Sequence, residues 1–174
     1  MGQKYFIFAE IGTGKTFVSH NYENASEVEY DDHKYVFDRD LSMEDKKCDP
    51  NRKSNPCWPD NYIAAALAAL EKYDVVMAPL FVDPFAALID TVEHAKTKII
   101  LALPAKECKD EYLQRWKNRG NNNIFLEVAV SSFRYNQLFH SITDYEKIIM
   151  RPGQYLDEAL IEYGIELKPK SLLP

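Results

Sequence analysis

Cysteine is scarce in this 174-residue chain: Cys48, Cys57 and Cys108 are an odd number and lay out no disulfide framework. A reducing cytoplasm is the expected home of such a chain. Eight residues separate Cys48 from Cys57 and no histidine neighbours them, so zinc-ligand spacing is missing. His20, His33, His94 and His140 show no paired metal spacing and flank no nucleophile pattern, which leaves surface or packing roles. Long apolar runs are missing too: the longest, Ile63 to Leu70, is too short to span a bilayer. The first residues lack the basic and then apolar pattern of a secretory signal. A formal charge of −6, from 21 basic and 27 acidic side chains, argues against broad coating of nucleic acid. No internal repeat, low-complexity tract, second domain or Asn-Lys-x-Asp guanine motif is present. Membrane and nucleic-acid partners are therefore not expected, and a small molecule is.

What is present suits one domain with a sizeable core, at 46% hydrophobic and 28% charged residues. Apolar runs alternate with amphipathic stretches. Tyr5–Ala9, Glu27–Asp32, Asp74–Leu80, Lys98–Leu103 and Glu146–Met150 read as strands. Helices are predicted over Lys15–Tyr22, Asp60–Lys72, Asp83–His94 (Asp83 as N-cap, Pro84 at the first turn), Lys106–Arg119, Ile124–Ile142 and Tyr155–Tyr163. Residues 33–58 are charged, carry Pro50 and Pro56 and lack periodicity, so they read as a long functional loop or partly helical insertion. The segment 168–174 reads as a mobile tail after a single domain over 1–167. Strands alternating with helices predict an α/β fold, a parallel sheet covered on both faces, with ligands outside the carboxyl ends of its strands.

One of those strand ends carries the run Ala9-Glu10-Ile11-Gly12-Thr13-Gly14-Lys15-Thr16. A strand breaking into a glycine turn that ends Gly-Lys-Thr is a phosphate-binding arrangement. Amides of Ile11, Gly12, Thr13, Gly14, Lys15 and Thr16, with the following helix start, form an anion site. Lys15 can reach a β- or γ-phosphate of ATP as a mobile point charge, and the Thr16 hydroxyl can ligate Mg²⁺. Ala9 stands where the pattern has its first glycine, which predicts some strain or a reshaped loop.

Further along, Arg115 and Arg119 are four residues apart in Glu-Tyr-Leu-Gln-Arg-Trp-Lys-Asn-Arg-Gly-Asn, on one helical face. They either neutralise a transferring phosphoryl group or pair with carboxylates such as Glu111 on a solvated helix. Asp31 and Asp32, at the end of the second strand, are a base, an acceptor-orienting pair, a water-mediated Mg²⁺ site or simple turn residues. Asp38 and Asp40 are weaker candidates of that kind. Arg39 and Arg52 either grip an acceptor phosphate or are surface charge, and Trp58 and Tyr62 either stack on a base or anchor the core. The third strand ends in Ala78-Pro79 and offers no carboxylate to complete a Mg²⁺ site.

With the glycine turn, the two-carboxylate strand and the Arg-rich stretch in order, the chain resembles small P-loop nucleotide kinases. It is most similar to the adenylate-kinase-like and deoxynucleoside-monophosphate-kinase-like proteins of bacteriophages and prophages, from Tyr5 to about Tyr163. The resemblance implies a three-layer P-loop fold with strand order 2-3-1-4-5, an acceptor-side insertion over 33–58 and an arginine-bearing lid over 105–123. It implies ATP phosphates on Gly12–Thr16, Arg115 and Arg119 as lid arginines, and Asp31 at the acceptor site. Three activities follow as expectations. The first is phosphorylation of a (deoxy)nucleoside monophosphate. The second is transfer to a nucleoside or other small hydroxyl acceptor, with Asp31 or Asp32 as base. The third is a nucleotide-binding switch that hydrolyses slowly or not at all.

Overall fold

The computed structural model describes residues 2–38, 41, 46, 49–121 and 123–171. Among the described residues seven strands are present: β1 (Tyr5–Ala9), β2 (Ala25–Glu27), β3 (Tyr35–Val36), β4 (Lys53–Ser54), β5 (Val75–Pro79), β6 (Lys98–Pro104) and β7 (Glu146–Met150). The helices are α1 (Lys15–Asn21), α2 (Asp31–Lys34), α3 (Asp60–Lys72), α4 (Val82–His94), α5 (Lys109–Asn118), α6 (Asn123–Asn136) and α7 (Leu156–Tyr163). Five strands form one sheet in the order β2-β5-β1-β6-β7, every pairing parallel. This order differs in its numbering from the expected 2-3-1-4-5 because the unanticipated β3 and β4 intervene in the chain and pair only with each other.

Period-two alternation along the strands feeds two cores. Phe6, Phe8, Val76, Ala78, Leu101 and Leu103 face α3 and α4, meeting Tyr62, Ala66, Leu70, Leu88 and Val92. Their neighbours Ile7, Ala9, Val75, Met77, Ile100 and Ala102 face α1 and α7, meeting Val18, Leu156, Ala159 and Leu160. Burial on both faces is why β1, β5 and β6 read as continuous apolar runs. A third, smaller core joins α5 to α6 through Tyr112, Trp116, Phe125, Ala129 and Phe133. The stretch expected as a lid is thus a helix packed into a hairpin.

Four boundaries depart from the expected ones. The second strand ends at Glu27, with Val28 N–H still donating to the Met77 carbonyl at 2.8 Å. Asp31 and Asp32 then occupy the first turn of α2, with His33 and Lys34 in its last; acid-first, base-last charge suits a helix dipole, not a strand end. Helix α4 begins at Val82 with Phe81 as N-cap, so Asp83 is not a cap. Its carboxylate instead accepts the Tyr30 hydroxyl at 3.2 Å and the Lys34 ammonium at 3.3 Å. The long helix ends at Asn136 and runs on as a 3₁₀ turn, Gln137–Ser141. Finally, the expected tail is fastened as far as Lys170. Glu23 N–H donates to the Lys168 carbonyl at 2.8 Å and Lys170 N–H to the Asn21 carbonyl at 2.8 Å.

Candidate active site

The turn after β1 is shaped by two glycines with left-handed backbone, Gly12 at φ 86° and Gly14 at φ 106°. A Cβ on Gly12 would lie 2.6 Å from the Trp116 indole nitrogen, so the close approach of α5 also requires glycine. Ala9 needs no such freedom. It is the last residue of β1, fully buried and paired with Pro79 and Ala102, and positive φ is absent there; the expected strain does not arise.

Successive carbonyls of the turn are held by donors around it. Lys15 Nζ donates to the Ala9 and Glu10 carbonyls at 3.2 and 3.1 Å. The Trp116 indole N–H donates to the Ile11 carbonyl at 3.2 Å, and Arg115 Nη1 to that of Gly12 at 3.4 Å. Leu156 N–H donates to the Thr13 carbonyl at 2.9 Å. The turn is thereby fixed from α5 on one side and α7 on the other.

Beside it opens a cleft of about 820 Å³, within the size range of small-molecule sites. Ile11, Gly12, Gly14, Lys15 and Thr16 form its floor, and Arg119 and Tyr155 part of its wall. Its acidic lining is Glu27, Glu29, Asp157 and Glu158. Thr16 Oγ1 donates to Glu27 Oε2 at 2.8 Å, and Lys15 Nζ lies 3.9 Å from Glu27 Oε1. The residues Ile11, Gly12, Gly14, Lys15, Thr16 and Arg119 thus line one cleft; Thr13 is buried under the turn, its hydroxyl donating to the Glu10 carbonyl at 2.9 Å.

Other predicted residues lie elsewhere. Arg115 does not itself line the cleft but backs it: it donates to the Gln154 carbonyl at 3.1 Å, pairs with Glu111 and stacks over the Tyr155 ring at 4.1 Å. Arg119, the C-cap of α5, still donates its N–H to the Arg115 carbonyl at 3.3 Å, and it lines the cleft just before Gly120 turns the chain at φ 75°. Asp31 and Asp32 do not line the cleft; Asp32 pairs with Lys46 at 2.7 Å. Asp38 pairs with Lys53 at 3.3 Å. Tyr62 is fully buried, its hydroxyl donating to the Val28 carbonyl at 3.4 Å, so its ring has no free face for a base. Trp58 stacks on it at 5.3 Å and carries the Lys34 ammonium 4.5 Å over its ring. Arg52 lies 4.2 Å over the Tyr35 ring. Arg39 and Asp40 fall outside the described residues.

Three acids escaped the sequence reading. Glu27 ends β2 and Glu29 lies two residues beyond it; both fall inside the expected strand Glu27–Asp32, but taking that strand to end at Asp32 put the candidate carboxylates at Asp31 and Asp32 instead. Glu10 is fully buried beneath the turn. Its carboxylate accepts Ile11 N–H at 2.7 Å and the Asn136 amide, which also donates to the Leu80 carbonyl at 2.8 Å. Burial pushes the Glu10 carboxyl up to about 7, against the opposing pull of these donors and of Lys15. Among the described residues, no group of three or more His, Cys, Asp or Glu side chains is placed to hold a metal ion, and no helix is long and apolar enough to cross a membrane.

No protein-family model matches this chain, and no curated protein matches it. Among solved structures, it is similar to the Deinococcus radiodurans tunicamycin resistance protein, at 15% identity and a TM-score of 0.52, over 97% of this chain and 100% of that one. It also matches an uncharacterized protein from Eubacterium ventriosum at 15% identity and a TM-score of 0.44, over 94% and 98% of the two chains. At such identity the first likeness shows a shared fold.

Proposed function

We propose that the protein is an ATP-dependent phosphotransferase whose acceptor is a (deoxy)nucleoside monophosphate. The observation that carries this reading is the glycine turn at the carboxyl end of the central strand, with Lys15 and Arg119 on one 820 Å³ cleft. The kinase-like arrangement of the sheet, shared in outline with the tunicamycin resistance protein, supports it. Turn amides at Gly12, Gly14 and Lys15 would take phosphate oxygens. Lys15 would exchange its hold on the Ala9 and Glu10 carbonyls for a phosphate oxygen. Arg119 would offset charge on the transferring group, and the half-exposed Tyr155 ring beside Gly14 offers a surface for the base. Arg115 acts by holding the turn, not by touching the phosphates. The donors at the turn fit Mg²⁺, since Thr16 and Glu27 present hard oxygen atoms on the cleft. Bound there with the nucleotide, the cation would neutralise phosphate charge. Positioning and charge neutralisation then suffice, because a monophosphate attacks with its own oxyanion.

A second reading, a kinase of a small hydroxyl acceptor, is favoured by Glu27, a carboxylate on the cleft able to accept a hydroxyl proton. Asp31, the base expected from sequence, lies off the cleft lining, so Asp31→Asn is expected to leave turnover within about threefold on either reading. The deciding measurement is ADP release from ATP and Mg²⁺ with each ribo- and deoxynucleoside monophosphate added singly. Turnover dependent on one or two of them, reduced roughly 100-fold or more in Lys15→Ala, is the expected outcome. Silence across the panel, with turnover on a nucleoside instead, would replace the first reading by the second.

A further inference from the structure

The charge of the cleft poses a problem for any polyphosphate. Four carboxylates, Glu27, Glu29, Asp157 and Glu158, line it against two cations, Lys15 and Arg119. An anionic ligand entering such a site needs further positive charge, and a divalent cation carried with the phosphates supplies it. The question is which protein group would steady that cation.

The strand ends around the turn leave little choice. Strand β5 is apolar throughout, Val75 to Pro79, and Leu80 follows it. Strand β6 ends in Pro104, and Ala105 follows it. Glu10, at the end of β1, is turned inward, its oxygens engaged by Ile11 N–H and the Asn136 amide. Glu27, the last residue of β2, faces the other way: its side chain is 9% exposed, lines the cleft and accepts the Thr16 hydroxyl.

Resting on the phosphotransferase reading, we infer that Glu27, from the second strand, is the carboxylate that holds the divalent cation of the bound nucleotide together with the Thr16 hydroxyl. The spacing suits it. Adjacent ligands of an octahedral Mg²⁺, each at about 2.0–2.1 Å, stand roughly 2.9 Å apart. Thr16 Oγ1 and Glu27 Oε2 are already 2.8 Å apart, so both can turn lone pairs to one ion with little movement. Lys15, 3.9 Å from the other carboxylate oxygen, steadies its orientation. Two protein oxygens are far short of six. With no cluster of three acidic, histidine or cysteine ligands among the described residues, the cation must draw its remaining ligands from phosphate and water. Cation and nucleotide are therefore expected to bind cooperatively, and Glu27 is the residue through which they couple.

The test is a calorimetric cycle on the full chain with a non-hydrolysable ATP analogue, titrated in EDTA and in Mn²⁺. Wild type is expected to bind the analogue on the order of tenfold more tightly with Mn²⁺. In Glu27→Gln that ratio is expected to fall to near one because affinity in Mn²⁺ drops, while affinity in EDTA is unchanged or raised by loss of one cleft carboxylate. Asp83→Asn, which lies off the cleft lining, should keep the ratio. Thr16→Ala should lose the ratio and Thr16→Ser preserve it, so the assignment remains testable should Glu27→Gln fail to fold. An undiminished ratio in Glu27→Gln with slowed transfer would overturn the assignment and make Glu27 the base of a hydroxyl acceptor. Failure of wild type to bind the analogue in either buffer would instead overturn the phosphotransferase reading, and the cation assignment with it.

Discussion

Glu10 is the residue whose chemistry differs most from what its place in a sequence motif conveys. A carboxyl with an ordinary value of 4.5 and a folded value of about 7 binds its proton more tightly in the native state than in the unfolded one. Its contribution to stability is thus full below pH 4.5, and about 3 kcal/mol of it is lost as pH rises to about 7 and beyond. Urea titrations at pH 4.5, 6 and 8 should show that decline, and Glu10→Gln, neutral at every pH, should flatten it; a decline unchanged in the variant would place its origin elsewhere. The two arginines separate at the same scale. Arg115→Ala removes a largely buried guanidinium from the Gly12 and Gln154 carbonyls and from Glu111, and is expected to lower stability by about 2 kcal/mol in urea titrations. Arg119→Ala should leave stability within about 0.5 kcal/mol while lowering transfer at least tenfold. The reverse pattern would mean that Arg115 is the arginine serving the phosphates. Spacing placed the pair on one helix face, but only the packing of α5 against the turn, which engages Arg115 with the Gly12 and Gln154 carbonyls, decided that Arg119 is the one lining the cleft.

At the scale of elements, the interior strands and most helices were legible because their signals are local. A strand buried on both sides is a continuous apolar run, and Pro and Gly mark the ends of helices. Strand β2 was not, because its three residues, Ala25–Glu27, carry too little alternation to be told from the polar chain around them. That error moved the expected carboxylates from Glu27 and Glu29 to Asp31 and Asp32. The C-terminal segment is a second such case. Ile165 and Leu167 are 3% and 8% exposed and complete the core under α1 and α7, while Lys168 and Lys170 tie the chain to the α1–β2 connection. Truncation after Gly164 is therefore expected to cost roughly 3–5 kcal/mol, seen as a clear drop in Tm by circular dichroism. A truncated chain melting with the full one would show that the segment is not part of the core.

For the whole molecule, the parallel sheet explains why the site is where it is. Parallel pairing of β1 with β5 and β6 brings the carboxyl ends of these strands to one rim, and the turn after β1 lies between its neighbours there. The sequence by itself determined the glycine turn after β1, the α/β alternation and the burial of the central strands. These depend on adjacent residues, through backbone conformation and hydrophobic periodicity. Only the tertiary structure decided that Tyr62 is core, that Arg115 braces the turn while Arg119 faces the cleft, and that Glu27 meets Thr16 across eleven positions of chain. Such pairings depend on how strands and helices stack, and a contact between distant residues leaves no periodic trace in either segment.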